Sequence, residues 1–113
     1  MAESLTMDKA LAWWRRVVVE GVAGEQPDLT MRQLAVALSV YTTAPPHTVR
    51  GLAARLNVSK PAITRTLDRL SQFGLVRRKR DDADRRNILV QRTVKGSVYL
   101  AELAERIARA QPA

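Results

Sequence analysis

TVRGLAARLNVSKPAITRTLDRLSQFGLVRRKRDDADRRNILVQR, residues Thr48–Arg92, decides the reading of this chain. Thr48 can cap a helix, because its hydroxyl accepts a bond from an early orphan backbone N–H. Val49, Leu52, Ala53 and Leu56 then recur at helical steps and give that helix one apolar face. Asn57 tolerates the left-handed conformation a helix end often needs, so the helix should stop there. Val58 follows as a plug in the turn. Ser59 is the next N-cap, and Pro61 falls in a first turn where its missing N–H costs little.

The helix expected over Lys60–Phe73 has two faces. Ile63, Thr66, Leu67 and Leu70 form the core stripe. Ser59, Lys60, Thr64, Arg65, Asp68 and Arg69 form the other, and Gly74 closes the helix at C′. Hydroxyls and cations near a helix start suit phosphates and base edges in a major groove. The plainer reading of the same spacing is an amphipathic helix pair with a solvated polar face.

Leu75 and Val76 open a strand that continues into Arg77, Arg78, Lys79 and Arg80. Asp81, Asp82, Ala83 and Asp84 favour or tolerate a turn. Arg85, Arg86 and Asn87 lead into a second strand at Ile88, Leu89 and Val90. A hairpin tipped by Arg85 and Arg86 suits a minor groove, where the potential is most negative. Asp84 can hold an arginine by a charge-assisted bond. Most charge runs are simply solvated; acidic residues inside this one mark it as a structured turn.

These residues resemble the winged-helix core of the MarR family (multiple antibiotic resistance regulators) from His47 to Gly96. The similar strings are LAARLNVSKPAITRTLDRLSQFGLVRRKR, DDADRR and TVKG, and the family's wing signature falls on Asp84, Arg85 and Arg86. The resemblance implies that Lys60, Pro61, Thr64 and Arg65 lie at the DNA-facing start of a recognition helix. It also implies that Arg86 is the minor-groove arginine, steadied by Asp84. Asn57 replaces the family's turn glycine. Arg92 replaces an apolar residue before Thr93, which implies a more exposed strand end. Family members normally carry more helix after the wing to complete a dimer.

Composition agrees with a polyanionic partner. The chain has 113 residues, 46% of them apolar, with net charge +8 and a pI near 11.0. That balance allows a packed core and favours DNA, RNA or an anionic membrane surface. With no Cys, thiol redox chemistry and thiolate metal sites are excluded. The first apolar segment, Leu11–Ala23, is interrupted by Arg15, Arg16 and Glu20. It is therefore neither a secretory signal nor a membrane span.

Before the decisive stretch, Ser4 or Thr6 should cap a helix reaching about Gly21. Leu11, Trp14, Val18 and Val22 form its apolar stripe, widened by Met7, Ala10 and Val17. A stripe so wide is either deeply packed or shared with a second subunit. Gly21–Pro27 reads as a loop. A second helix, capped at Asp28 or Thr30, should end near Thr42, ahead of Pro45 and Pro46. His47, the chain's single histidine, has no metal-ligand company and should border a short strand pairing with the wing.

The last helix, capped by Thr93, should run to Ala110 with a seam of Leu100, Leu103, Ile107 and Ala110. That seam fits a short coiled coil or packing against the first helix. Glu102–Arg106 and Glu105–Arg109 have the spacing of helix-surface ion pairs.

The expected fold is mainly α with a small β-hairpin wing: a winged helix-turn-helix of about five helices in one domain. Residues 1–46 would be supporting helices, 47–92 the DNA-binding core and 93–113 a last helix, with dimer contacts from both flanks. The expected function is a sequence-specific duplex-DNA-binding transcriptional regulator, a homodimeric repressor in the bacterial cytoplasm at the nucleoid, with no cofactor. Its DNA-binding residues would be Ser59, Lys60, Pro61, Thr64, Arg65, Arg69, Arg77, Arg78, Lys79, Arg80, Asp84, Arg85 and Arg86. The resemblance also permits a small aromatic effector, for which Trp13, Trp14 and Tyr41 are the pocket candidates. The alternative is a winged-helix protein–protein module that binds another regulator or a polymerase. Catalysis is not expected, since no nucleophile–base pair, phosphate-cradling Gly loop or carboxylate–His cluster is present.

Overall fold

Each helix of this chain begins one residue after a hydroxyl, and each hydroxyl is used. Thr6, Thr30, Thr48, Ser59 and Thr93 accept bonds from the backbone N–H of Lys9, Gln33, Gly51, Ala62 and Gly96, at 2.9–3.2 Å. The computed structural model describes residues 4–113. In order these are α1 (Met7–Ala23), α2 (Met31–Thr42), β1 (His47–Thr48), α3 (Val49–Leu56) and α4 (Lys60–Gln72). Then come β2 (Val76–Arg80), β3 (Ile88–Arg92) and α5 (Val94–Ala110). The strands form one antiparallel sheet in the order β1-β3-β2. Of the alternative caps, Thr6 and Thr30 are the ones used, and Thr30 forms a reciprocal capping box with Gln33.

The chain forms two compact units, Leu29–Leu100 and a second of Ala101–Ala113 with the residues up to Asp28. In Leu29–Leu100, Val36 and Val40 of α2 pack with Leu52, Ile63, Leu67, Leu70, Leu75, Val90 and Tyr99. Thus α2 belongs to the winged core.

Local punctuation sets the helix-turn-helix. Asn57 sits at φ 55°, and Val58 N donates to Ala53 O at 3.1 Å. Gly74, at φ +75°, closes α4 with Leu75 N donating to Leu70 O at 2.9 Å.

A polar node fixes the wing's base. The Tyr41 hydroxyl donates to Leu75 O at 2.6 Å and accepts from Thr93 N at 2.9 Å. Gly96 is buried beside it, and a Cβ there would collide with the Tyr41 hydroxyl and the Leu75 carbonyl. Arg92 is exposed, as the resemblance implied, yet not idle. Its Nε and Nη2 donate to the carbonyls of Val40 and Thr43 at 2.8 and 3.1 Å, and its guanidinium lies over the Tyr41 ring. This cation thereby serves the last carbonyls of α2. His47 lies in β1 itself, opposite Val90, where bordering that strand was expected.

In the other unit, α1 packs against the C-terminal end of α5. The Trp13 indole N–H donates to Ile107 O at 2.8 Å, Arg16 donates to Ala110 O, and Arg109 pairs with Glu20. Two expectations are corrected here, the loop at Gly21 and the Glu105–Arg109 pair, and two open alternatives are decided. The expected stripe is not packed within the chain: Leu11, Trp14, Val18 and Val22 are 62, 41, 41 and 59% exposed. The inward face is Ala10, Trp13, Val17 and Gly21. Gly21 does not start a loop, because α1 continues to Ala23. A glycine there leaves room for Arg106, which a Cβ would approach to 3.1 Å. Lastly, Leu103, Ile107 and Ala110 lie along this intrachain contact, and Arg109 takes Glu20 where Glu105 was expected.

Candidate nucleic-acid interface

Recognition by a helix needs its polar side chains free at the N-terminal end. In α4 the apolar Ala62, Ile63, Leu67 and Leu70 are buried, so Lys60, Pro61, Thr64, Arg65, Asp68 and Arg69 are left exposed. Ser59 gives its Oγ to the cap. Thr66 turns inward and its hydroxyl donates to Ala62 O at 2.9 Å. Arg69 donates to Gln72 at 2.9 Å and stacks on Phe73. Lys60 and Arg65 have no hydrogen-bonded or ion-paired partner among the described residues. Near a helix N-terminus, two such cations add to the positive end of the dipole.

The wing's cations are mostly braced. Register pairs Val76–Arg80 with Arg92–Ile88, so Arg78 and Arg80 share a face with Val90 and Ile88, and Arg77 and Lys79 take the reverse. Arg78 reaches Asp68 of α4 at 2.8 Å and ties wing to helix. Arg77 donates to Gln91 at 3.0 Å, Lys79 lies 3.9 Å from Asp82, and Arg80 donates to Arg85 O at 2.7 Å. A groove lined by Val49, Thr64, Arg78, Lys79, Arg80 and Ile88 runs between α4 and the wing.

The tip is built by short-range bonds. Asp81 N donates to Asn87 O at 3.0 Å, Asn87 N to Asp84 O at 2.9 Å, and Ala83 N to Asp81 Oδ1 at 2.9 Å. Asp84 receives Arg86 in a two-toothed pair, Nε to Oδ1 at 3.1 Å and Nη2 to Oδ2 at 3.2 Å, plus the Arg86 backbone N–H at 3.1 Å. The Arg86 guanidinium, and then its backbone N–H, hold the Asp84 carboxyl below its ordinary range against slight desolvation. Arg50 adds a smaller pull from the start of α3, a neighbour that sequence spacing did not single out. The Arg86 side chain stays 86% exposed while so fixed. Arg85 projects without a side-chain partner among the described residues.

The proposed effector residues are placed differently. Trp13 is half-buried with its N–H bound, Trp14 lies on the exposed apolar face of α1, and the Tyr41 hydroxyl is engaged in the wing's base. Trp13 and Trp14 belong to one compact unit and Tyr41 to the other. Among the described residues no helix is long and apolar enough to cross a membrane.

The model of the MarR family matches residues 29–88, just over half of the chain. A crystal structure of MarR is similar at 28% identity and TM-score 0.69, over 93% of this chain and 78% of that one. The transcriptional regulator BldR from Sulfolobus solfataricus is 30% identical, with TM-score 0.65, over 91% and 74%. AbfR, in a structure bound to DNA, shares the fold at 24% identity and TM-score 0.69, over 93% and 72%. The family match, the order of helices and wing, and these likenesses together establish that the chain belongs to the MarR family of winged-helix transcriptional regulators.

Proposed function

We propose that this regulator binds double-stranded DNA sequence-specifically as a homodimer and represses by occluding its site. The observation that carries the reading is the joined surface of α4 and wing. Lys60 and Arg65 project from the first turns of the helix, Arg85 and the braced Arg86 from the hairpin tip, and Arg78–Asp68 links the two. A helix fits a major groove and an arginine-tipped hairpin fits the narrow groove beside it. AbfR has this fold and was solved bound to DNA; duplex DNA is the polyanion that we assign here.

The dimer part rests on α1. Leu11, Trp14, Val18 and Val22 form an exposed apolar face at helical spacing, the kind of surface a second subunit covers. Two copies would set two recognition helices into major grooves about one helical turn apart.

Selection from random duplexes tests the DNA part, and sedimentation tests the dimer. The expected result is one enriched palindromic site, bound by a two-chain species, that blocks transcription when placed over a promoter. No enrichment, or binding by single chains, overturns the reading.

A further inference from the structure

The recognition helix α4 has two flanks. Thr64 and Asp68, about one turn apart, look toward the wing. Thr64 lines the groove with Arg78, Lys79 and Arg80, and Asp68 takes Arg78. Ala62, Arg65 and Thr66 look the other way, into a second groove shared with α2. Thr30, Met31, Arg32, Leu56, Val58 and Arg65 are among its lining residues. All of it belongs to the Leu29–Leu100 unit.

Most polar groups of this second groove are already engaged. Thr30 and Gln33 close on each other in the capping box. The Thr66 hydroxyl donates to Ala62 O at 2.9 Å. Arg32 and Arg65 are different. Both are exposed, and neither has a hydrogen-bonded or ion-paired partner among the described residues. On the wing, by contrast, Arg77, Arg78, Lys79 and Arg80 each have an acceptor. A free guanidinium offers five N–H donors. Among the described residues no carboxylate lines the groove, so two like charges share it with no acidic side chain to balance them.

We infer that this groove seats a backbone phosphate of duplex DNA, on the strand that runs along the flank of α4 away from the wing, with Arg32 as its grip. The inference rests on the duplex reading above and adds a residue and a strand to it. A helix about 10–12 Å across fills a major groove about 12 Å wide, so a phosphate backbone passes along each flank. The wing and its cations take one backbone. Arg32 and Arg65 are the cations placed for the other. Arg65, on the recognition helix, can then serve a base edge while Arg32 serves the backbone and sets register. Val36 and Val40 anchor α2 in the core, so Arg32 stands on a support fixed against α4.

The test is a thermodynamic cycle between one side chain and one phosphate. The selected duplex is made with single methylphosphonate linkages, each removing one backbone charge, and titrated with the full chain and with Arg32→Gln. At one linkage per half-site, neutralisation should weaken the unaltered chain about tenfold. The same linkage should weaken Arg32→Gln by less than about twofold. It should still weaken Arg85→Ala/Arg86→Ala about tenfold, because it lies across the major groove from the wing. Arg32→Gln should also lower the salt slope by about 0.9, and Arg32→Lys should restore it. Thermal unfolding of Arg32→Gln should be unchanged, since its side chain has no partner to lose. Duplex binding with no linkage coupled to Arg32, or an unchanged slope in Arg32→Gln, would overturn this proposal alone. Failure of the unaltered chain to bind any duplex would overturn the duplex reading and this proposal with it.

Discussion

The winged core and the α1 unit treat their apolar residues in opposite ways. In the core, Val36, Val40, Ile63, Leu67 and Leu70 are wholly buried, and the cations of α4 and the wing face outward. In α1 only Val17 is fully enclosed, while Leu11, Val18, Val19 and Val22 stand in the open. One region completes its packing within the chain and offers charge. The other leaves apolar surface over and offers that. The function proposed above matches a polyanion to the first and an apolar face to the second.

The largest expected effect separates the two regions directly. Leu67→Ala should cost about 2–5 kcal/mol of unfolding free energy. Leu11→Ala, measured in urea at concentrations that keep the chain monomeric, should change it by less than about 0.5 kcal/mol. Equal losses would mean that α1 buries its outer face after all. Charging that face with Leu11→Asp and Val18→Asp should instead abolish any two-chain species in sedimentation.

Gly96→Ala comes next. Its new methyl meets the Tyr41 hydroxyl and the Leu75 carbonyl at the wing's base, so a loss of about 1–3 kcal/mol is expected from overpacking. Thermal unfolding checks this, and a neutral outcome would show that the node is loose. Arg65→Ala should leave stability alone and weaken duplex binding by about 1–3 kcal/mol, read in a titration with the selected site.

The smallest effect is the pH dependence of the wing tip. Arg86 holds the Asp84 carboxyl below its ordinary range. A depressed carboxyl stabilises above the unfolded value, about 3.9 for Asp, and the contribution fades as pH falls through the folded one. Tip amides should therefore be ordered from neutral down to weakly acidic solution and lose order only below the ordinary range. Asp84→Asn should remove that acid step, and an unchanged step would assign it elsewhere.

The core was legible because its signals are local. Asn57, Ser59, Pro61 and Gly74 each act within a turn of where they stand, so boundaries of α3 and α4 followed from single residues. The inward face of α1 was not legible. Ala10–Trp13–Val17 and Leu11–Trp14–Val18 have the same spacing, and only the partner helix chooses between them. Gly21 looked like a breaker because its neighbour Arg106 is remote in sequence. The wing's run of cations gave its sign from the sequence but not its division of labour. The Arg78–Asp68 tie depends on strand register, and Arg92's hold on α2 crosses 52 positions.

The central claim is that helix and hairpin tip bind one duplex together. The most direct measurement is the salt dependence of binding to the selected duplex, for the unaltered chain and for Arg85→Ala/Arg86→Ala. Each cation set against a phosphate contributes roughly −0.9 to the slope of log affinity against log salt. A steep slope that becomes shallower by about 2 in the double variant is the predicted result. An identical slope and affinity in the two proteins would contradict it.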